Sequence, residues 1–517
     1  MIRAAVLLTL GCAQVGCGPS VDTLLCGSAD CEFSRQEWTS LQGLAGLAEK
    51  PPADPSNKYS TNAAAAELGQ KFYFDSRFSG NATLLDTLRR PTPYARAPKG
   101  QPLNISCATC HDPARGGADF TSSPNHVSIG AGWYDVNSQQ TVNAAYYGIT
   151  YWNGRNDSLW SQIVAVSESF VSMGSNRLKI AWLLKDKYPD AYGELFTAFP
   201  LPFATGSADV RAAVDPMTGQ CALVAGVCPS PCRIVTGTDA ALSCWPRFPL
   251  EGRPGSVPGC QAGSASEPSF DAFDCMDSAD QKQITGVYVN WAKAIAAYEQ
   301  TLISRNSAFD RWVALGPQSA LLTAAQKRGA RVFVGKGSCV DCHNTPLLSD
   351  SAFHNVGVPQ VGAGVPSEAD CRAGSVCDCV NGKNCLPAGA LDGLAKLRAN
   401  AYRRDSTWSD DPTDTSRKSY LEQPLDPALR GAWRTASLRD VELTAPYMHD
   451  GVYPSLEAVV AAYDRGGADA NVPGVKAVQL RPLHLTPAEQ SDLVAFLRSL
   501  TGAPMPRELT SAPVLPP

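Results

Sequence analysis

The chain has 517 residues, of which 44% are hydrophobic and 18% are charged, and its formal net charge is −5. These values indicate a globular, soluble protein with room for about two to four domains. No basic run suggests a nucleic-acid partner, and after the first residues no apolar run is long enough to cross a bilayer.

The N-terminus has the pattern of an export signal. The apolar run Ala4–Leu10 is too short for a membrane helix. Cys12 and Cys17 each follow a glycine, so lipidation at one of them and a simple cleaved signal both stay open. We expect an export signal over 1–17, an irregular leader over 18–60, and a periplasmic or cell-envelope location.

The first predicted helix covers Ala63–Phe74, with Asp75–Phe78 as its loop exit. It is followed by Cys107-Ala-Thr-Cys-His111, which has the pattern C-x-x-C-H. In this pattern the two thiols form thioethers to the vinyl groups of a c-type haem, and the adjacent histidine becomes an iron ligand. The same cysteine spacing also serves zinc and thiol redox sites.

A second C-x-x-C-H pattern, Cys339-Val-Asp-Cys-His343, follows a helix-capping signal at Thr323–Gln326. Two such patterns in an exported chain predict two covalently bound haems rather than a structural zinc or a disulfide. The predicted attachment residues are Cys107, Cys110, Cys339 and Cys342.

The segments before the two patterns resemble each other. Gly69 and Tyr73 have the same spacing as Gly329 and Phe333. We therefore expect an internal duplication of one helical haem domain.

Two further helices are predicted. An apolar period over Gln283–Ile303 indicates a long helix between the two copies. Near the C-terminus, Thr486 and Glu489 form a capping box, and we expect the helix to end at Gly502.

Twelve of the 18 cysteines lie outside the signal region and the two haem patterns. They form even clusters at 26–31, within 205–275 and within 359–415, where the last two stretches are rich in Gly and Pro. Because disulfides persist in exported proteins and no histidine accompanies these clusters, we expect surface insertions stapled by disulfides rather than metal sites. Their pairing cannot be read from the sequence.

Several segments resemble the bacterial di-haem cytochrome c peroxidase and MauG superfamily. Cys107–Asp119 resembles the first haem segment of that family, and Leu438–Gly451 resembles a stretch that follows the second haem. The other matching segments occur in the order of the family and are Ser128–Trp133, Asn143–Ala144, Tyr151–Arg155, Ala297–Leu302, Phe309–Asp310 and Leu493–Gly502.

The resemblance implies two cytochrome-c-like helical domains. Together with the matched spacing and the Cys-rich stretches, we expect a mainly α fold with two cytochrome-c-like haem domains related by internal duplication, with Cys-rich loop insertions. We expect the N-terminal haem domain over 61–204 and the C-terminal haem domain over 321–502. Residues 276–320 are expected to form a connecting helix that packs on both, and 503–517 a tail.

The haem patterns themselves make His111 and His343 the proximal iron ligands. In the peroxidases a histidine can cap the first iron, and the resemblance puts Ala131 at that position. Alanine cannot ligate iron, and His126 is either a substitute ligand or a surface or propionate-facing histidine. The resemblance therefore implies an open sixth site on the first iron, as in the MauG branch.

Tyr463 falls where the resemblance implies the sixth ligand of the second iron, a methionine in the peroxidases and a tyrosine in MauG-type proteins. A phenolate favours ferric or higher-valent iron, so Tyr463 predicts a low-potential second haem. The spacing of Leu456, Val460 and Tyr463 also fits a core tyrosine on an amphipathic helix, and Met448 is a weaker alternative ligand.

Trp152 resembles the tryptophan that lies between the two haems in the family and carries oxidising equivalents; a packing role is the alternative. Arg155 is expected to pair with a haem propionate, because a guanidinium suits a carboxylate. Gln162 falls where the family has a distal glutamine.

Ser172 is the main departure from the family, which has a distal glutamate at this position to move a proton between the peroxide oxygens. A serine hydroxyl is a poor base near neutral pH. Glu168 lies one helical turn earlier and is either a substitute that reaches the same pocket or a solvated surface acid.

Asn137 and the backbone carbonyls of Thr444 and Pro446 fall where the family holds a calcium ion between the haems. Oxygen ligands suit this hard cation. A loop without an ion is the alternative.

These features predict an exported di-haem c-type oxidoreductase that reduces hydrogen peroxide at the N-terminal haem. Electrons would come through the C-terminal haem from a small cytochrome c, a cupredoxin or an oxidisable protein residue. Two other functions stay open: a MauG-like maturase that oxidises residues of a partner protein, and a non-catalytic electron-transfer or redox-sensing cytochrome. We expect no nucleic-acid partner, and a membrane contact only through a lipid anchor.

Overall fold

The structure is a computed structural model of the chain. It describes residues 33–85, 96–119, 128–203, 210–230, 232–236, 242–255, 262, 270–359, 377–380, 383–387, 389–468 and 474–517. The predicted export signal, the candidate lipidation sites and His126 lie outside these residues, as do Cys26, Cys31, Cys260 and Cys371.

The described part of the chain is rich in helix. The α-helices are α1 (Arg35–Leu44), α2 (Ala63–Phe74), α3 (Cys107–Cys110), α4 (Leu159–Ser167), α5 (Arg177–Lys187), α6 (Pro189–Leu195), α7 (Ser278–Glu299), α8 (Ala308–Leu315), α9 (Ala324–Val334), α10 (Ala390–Ala399), α11 (Lys418–Leu421), α12 (Leu456–Asp464), α13 (Pro487–Arg498) and α14 (Arg507–Thr510).

Strands are few and short. The antiparallel pairs in the described residues are β1 (Cys232–Thr236) with β2 (Leu242–Pro246), β3 (Phe353–His354) with β6 (Trp433–Arg434), and β4 (Cys377–Val380) with β5 (Lys383–Pro387). The predicted helix-rich class is therefore confirmed.

The first core forms around α7, which is buried along most of its length because apolar residues occupy all of its faces. Helices α2, α4 and α5 pack against it. Phe72 on α2 meets Phe78 edge-on with ring centroids 5.4 Å apart, and Phe78 lies 5.3 Å from Trp291 on α7. These contacts fix the segment that precedes the first C-x-x-C-H pattern.

The second core forms where α9 crosses α13. The Phe333 ring lies 5.3 Å from Phe496 on α13 and 6.4 Å from the His343 imidazole. Helix α1 packs on α9. Trp38 on α1 meets Trp312 on α8 edge-on, with ring centroids 5.0 Å apart. The second pattern therefore rests on this core.

Both cores contain a glycine at which two helices touch backbone to backbone. A Cβ atom at Gly69 would lie 1.9 Å from the carbonyl oxygen of Ala294, and a Cβ at Gly329 would lie 1.9 Å from that of Asp492. Only glycine permits so close an approach. The two glycines that the sequence pairs by spacing thus have the same packing role.

Replacing Gly329 by alanine should lower the free energy of unfolding by about 1–3 kcal/mol, the usual effect of overpacking a tight contact. The added methyl group would collide with the α13 backbone, so the helices must separate. Thermal unfolding measures the loss. In the matched control, Gly43→Ala, the new Cβ meets nothing within 4 Å, and stability should hold or rise slightly. An equal loss in both variants would contradict the close crossing.

The expectation of an irregular leader over 18–60 is wrong for part of that range. Residues Arg35–Leu44 form α1, which begins with a capping box between Ser34 and Glu37. Trp38 is buried on this helix. The helix forms because the capped segment also offers an apolar face that packs on the second core.

The expectation that 359–415 is a surface insertion is wrong for α10. Leu394 and Leu397 on this helix are fully buried. A Cβ at Gly393 would lie 1.6 Å from the carbonyl oxygen of Asn153, so the helix backbone touches the segment next to Trp152. The insertion therefore contributes a buried helix that packs next to Trp152.

The insertion over 205–275 contains the predicted disulfides, and it also contributes to the core. Two bridges join Cys221 to Cys232 and Cys228 to Cys244, and Cys275 is disulfide-bonded as well. The expected surface position is wrong for β2, where Cys244 and Trp245 are buried.

The ends of two predicted helices shift. Helix α7 begins and ends earlier than the predicted range, and α13 ends at Arg498 rather than at Gly502. The tail packs on the first core, because Gln70 Nε2 donates to the carbonyl of Glu508 at 2.5 Å. No helix in the described ranges is both long enough and apolar enough to cross a membrane.

Candidate functional site

The first C-x-x-C-H pattern forms the single helical turn α3. The N–H of His111 donates to Cys107 O at 2.9 Å, and the Tyr73 hydroxyl on α2 donates to His111 O at 2.6 Å. Nδ1 of His111 lies 3.2 Å from Gly117 O. Because a ring nitrogen that faces a carbonyl carries the proton, Nε2 is left as the ligand atom.

The second pattern repeats this arrangement. The N–H of His343 donates to Cys339 O at 3.0 Å, and its Nδ1 lies 2.6 Å from Leu348 O. Burial lowers the pKa of both His111 and His343, so both rings are neutral at neutral pH. A neutral imidazole with its tautomer fixed by a carbonyl is the form that binds a metal.

The four cysteines of these patterns carry no disulfide. Burial raises the pKa of Cys110 to about 11 and that of Cys339 to about 12, so these thiols stay protonated at neutral pH. Four unpaired thiols and two anchored imidazoles form the donor set that two covalently bound haems require. The residues present therefore fit two c-type haems.

Tyr463 lies beside the second pattern, near the C-terminal end of α12. Burial, and then the sulfurs of Cys342 and Cys339, raise the pKa of its phenol. Leu456 and Val460 on the same helix belong to the apolar cluster against which Cys339 packs, so α12 runs beside the second pattern. Met448, the weaker candidate, lies half-buried in a turn with φ +74°. Tyr463 is therefore within reach of the second haem position, and its ligation of the iron stays a prediction.

Asn137 holds several of the predicted site residues together. Its carbonyl accepts from Trp152 Nε1 at 2.9 Å, and its N–H donates to His449 O at 2.6 Å. Its side-chain amide donates to Pro446 O at 3.0 Å. Trp152 faces the His449 ring edge-on, with ring centroids 6.5 Å apart. These bonds fix the orientation of the Trp152 indole.

Short contacts connect Trp152 to both haem patterns. On one side, the segment that begins at Asn137 continues to Thr141, whose N–H donates at 3.0 Å to Gly117 O, the carbonyl that faces the His111 ring. On the other side, Trp152 O accepts from the N–H of Arg434 on β6 at 2.8 Å. Strand β6 pairs with β3, which follows the second pattern in the chain. Hydrogen-bonded segments thus link Trp152 to both patterns, and its role between the haems stays a prediction.

Arg155 packs on tyrosines. Its guanidinium carbon lies 3.9 Å from the centroid of the Tyr151 ring, and Nη2 donates to the Tyr134 hydroxyl. Such stacking orients the planar guanidinium. The expected pairing with a haem propionate stays a prediction.

The two departures from the family lie next to each other. The N–H of Ala131 donates to Ser172 O at 2.7 Å. Ala131 is fully buried in a small apolar cluster with Leu103 and Ile105, and Ser172 is half-buried. Gln162 is half-buried on α4. At the two positions where the resemblance leads to the expectation of a histidine and a glutamate, the chain therefore has a methyl group and a hydroxyl.

The suggestion that Glu168 is a solvated surface acid is wrong. Its carboxylate accepts from Arg177 Nε at 2.9 Å and Nη2 at 2.7 Å, and the Arg177 side chain is only 4% exposed. A bidentate pair with a buried guanidinium holds the carboxylate in place. The Glu168 carboxylate is therefore held in an ion pair with Arg177 and is not free to act as a base in place of the glutamate that the resemblance implies at position 172.

The predicted calcium residues are brought together only in part. Asn137 and Pro446 meet through the hydrogen bond described above. Thr444 packs near the first pattern, because its Cγ2 would lie 3.2 Å from a Cβ at Gly116. The calcium ion stays a prediction.

Glu299 is a functional candidate that the sequence reasoning missed. Only 7% of this residue, at the end of α7, is exposed. The ring of the preceding Tyr298 lies 5.1 Å from that of Tyr73, whose hydroxyl donates to His111 O, so this end of α7 lies beside the first haem pattern. The sequence did contain a clue, because Glu299 lies within Ala297–Leu302, a segment that resembles the family. The resemblance was noted for the whole segment, and no role was assigned to this carboxyl group.

Replacing Glu299 by glutamine should change how stability depends on pH. Burial raises the pKa of Glu299 from 4.5 to about 8. The folded state therefore keeps a proton that the unfolded chain loses, and the wild type loses about 1.4 kcal/mol for each pH unit between these values. Below pH 4.5 the two proteins should be alike. Unfolding temperatures across this range measure the difference.

The exposed Glu67 on α2 supplies the control. The variant Glu67→Gln should follow the wild type at every pH. Parallel curves for Glu299→Gln and the wild type would contradict a protonated Glu299.

The comparisons with known proteins agree with this site. Residues 63–216 match the family model described as di-haem cytochrome c peroxidase. Cytochrome-c peroxidase IdrP1 of Denitromonas iodatirespirans is 28% identical over 477 residues, which cover 90% of this chain and 90% of that protein. The methylamine utilization protein MauG of Methylorubrum extorquens is 24% identical over 506 residues, or 97% of this chain and 96% of that protein.

The fold has a counterpart among solved structures. A MauG-like protein associated with microbial copper homeostasis superposes with a TM-score of 0.50 at 19% identity, over 90% of this chain and 97% of that chain. Over most of its length the chain is therefore similar to cytochrome-c peroxidases and to MauG proteins, and residues 63–216, which include the first C-x-x-C-H pattern, match the di-haem cytochrome c peroxidase family model.

Proposed function

We propose that the chain is a di-haem c-type oxidoreductase that reduces hydrogen peroxide at the N-terminal haem, with electrons relayed through the C-terminal haem. One observation supports this proposal: Asn137 fixes the Trp152 indole, and hydrogen-bonded segments connect Trp152 to the His111 loop on one side and to β6 on the other. When bound, the haems would supply the redox chemistry, and Cys107, Cys110, His111, Cys339, Cys342 and His343 would hold them.

The residues around the two irons differ in a way that favours one open site. Ala131 offers no ligand atom, so the first iron would keep a free position for peroxide. Tyr463 would close the second iron with a phenolate, and a closed iron suits electron transfer. Asn137 keeps the indole of Trp152 in a single orientation between them.

The proposed domains follow the two cores. We infer one cytochrome-c-like haem domain over 61–204 and a second over 321–502, joined by 276–320. The matched crossings at Gly69 and Gly329 support a shared origin by duplication. We further place the protein in the periplasm or cell envelope, with a small cytochrome c or a cupredoxin as electron donor and a calcium ion near Asn137.

The test uses the holoprotein with two haems, hydrogen peroxide and a reduced small cytochrome c. We expect oxidation of the cytochrome that depends on peroxide and saturates with it. No turnover above the rate without protein would reject the peroxidase proposal.

A MauG-like maturase, which oxidises residues of a partner protein, is the second candidate. Ser172 and the Arg177-bound Glu168 favour it, because neither residue is a free base for fast peroxide cleavage. A long-lived oxidised state without turnover on small cytochromes would support the maturase. A protein whose haems peroxide leaves unchanged would instead be an electron-transfer or redox-sensing cytochrome.

Replacing Tyr463 by phenylalanine should convert the second iron from a six-coordinate low-spin to a high-spin centre. Phenylalanine keeps the ring and removes the only ligand atom of this side chain. Electron paramagnetic resonance of the ferric protein measures the change, with one high-spin and one low-spin haem expected in the wild type. Tyr453→Phe is the control. An unchanged low-spin signal would reject Tyr463 as the ligand.

A further inference from the structure

Three aromatic rings follow one another next to the site. The Trp433 indole lies nearly parallel to the His449 imidazole, with centroids 4.1 Å apart and an interplanar angle of 16°. The His449 ring in turn faces the Trp152 ring edge-on, with ring centroids 6.5 Å apart and an interplanar angle of 71°. Trp433 is 6% exposed and His449 is 2% exposed, so the stack is shielded from water. Parallel and edge-on geometries are both favourable for aromatic rings.

Trp433 also extends this row toward the second haem pattern. It lies opposite His354 in the β3–β6 pair. A ring nitrogen of His354 lies within 4.8 Å of Cys342 Sγ, the sulfur predicted to hold the second haem. A row of neighbouring residues therefore runs from Cys342 through His354, Trp433 and His449 to Trp152.

We propose that Trp433 is a second electron-relay residue, which passes electrons from the side of the second haem to Trp152. The inference rests on the proposed function, because a peroxide is the two-electron oxidant that it requires. In the step itself, a Trp152 radical cation takes one electron from the Trp433 indole. Trp152 returns to its neutral form and Trp433 becomes the radical cation, while no bond breaks and no proton moves.

The stack favours this role for Trp433 rather than for another tryptophan. An indole is among the most easily oxidised side chains, and the polarisable imidazole against its face stabilises a positive charge. An electron from the second haem side then restores Trp433. With Trp152 as the only relay, an electron would have to pass from the Cys342 side to Trp152 in one longer step.

The test compares three variants of the holoprotein: Trp433→Phe, Trp433→Tyr and the control Trp245→Phe, which alters a buried tryptophan in the β2 hairpin. Circular dichroism and haem content check their folding. One equivalent of hydrogen peroxide is added without a reductant, and stopped-flow absorption follows the second haem. Peptide mass spectrometry then locates oxygen added to tryptophans.

We expect Trp433→Phe to slow oxidation of the second haem about tenfold, which corresponds to about 1.4 kcal/mol in the barrier. Trp433→Tyr should restore most of the rate, because a phenol can also be oxidised, and Trp245→Phe should match the wild type. The wild-type peptide that contains Trp433 should gain oxygen.

Equal rates for Trp433→Phe and Trp245→Phe would overturn the relay, as would equal slowing in Trp433→Phe and Trp433→Tyr, which indicates a packing role only. If Trp433→Phe does not fold, an unmodified Trp433 peptide in the oxidised wild type overturns the relay by itself. A wild-type protein whose haems ignore peroxide would instead reject the proposed function together with the relay.

Discussion

A chain in which Cys107 and Cys110 are both replaced by alanine should carry one covalently bound haem instead of two and lose all peroxide-dependent turnover. The two thiols of the first pattern are the only atoms of that pattern that can form thioethers, and the remaining His111 alone does not hold a haem covalently. Intact mass after denaturation measures the loss of one haem.

The matched control replaces Cys221 and Cys232, which form a disulfide outside both haem patterns. This variant should lose stability and keep two haems. A Cys107/Cys110 variant that still retains two covalent haems would contradict the assignment of the first pattern.

Replacing Arg439 by leucine should lower the free energy of unfolding by about 3–5 kcal/mol, the usual result of leaving one member of a buried ion pair alone. The Arg439 side chain is 1% exposed and donates to both carboxylate oxygens of Asp310 on α8, at 2.8 and 3.1 Å. Its Nε also donates to Pro346 O, close to the second haem pattern. Denaturant unfolding measures the loss.

Two further variants make this prediction specific. Arg498→Leu removes the surface ion pair with Glu457, in which the Arg498 side chain is 50% exposed. The free energy of unfolding should change by less than about 1 kcal/mol. A double variant, Arg439→Leu with Asp310→Leu, should recover part of the loss because no lone charge stays buried. Equal losses for Arg439→Leu and Arg498→Leu would contradict the buried pair.

The effect of Arg439 should also depend on pH. Burial raises the pKa of Asp310, but the hydrogen bonds and charge of Arg439 outweigh burial and leave this pKa lowered. The folded pKa is below the unfolded one, so the contribution is present above the unfolded pKa and is lost as the pH falls through the folded pKa. The difference between wild type and Arg439→Leu should therefore shrink in acid.

The sequence is sufficient for those parts of the fold that local patterns encode. The capping boxes at Thr323 and Thr486 and the long apolar period before Glu299 locate the helices of both cores, because caps and periodicity are properties of neighbouring residues. The matched spacing of Gly69 and Gly329 is also local, although only the structure shows that both glycines lie at helix crossings. The haem patterns are equally local.

The features that the sequence does not reveal depend on contacts between distant segments. Helix α10 follows a stretch rich in Cys, Gly and Pro, and only its packing against Asn153 shows that it is a buried helix next to Trp152. The stack of Trp433 on His449 needs the pairing of β3 with β6, which no periodicity predicts for strands of two residues. The partner of Glu168 is likewise visible only in three dimensions.

The coexistence of four unpaired thiols with closed disulfides restricts how this protein is made. The bridge between Cys221 and Cys232 forms in oxidising surroundings, whereas on the proposed function Cys107 and Cys110 must stay reduced until haem is attached. A host that exports this chain must therefore attach haem before Cys107 and Cys110 oxidise to a disulfide, or must first reduce that disulfide. The yield of mature protein should therefore depend on the relative rates of haem attachment and thiol oxidation as much as on folding.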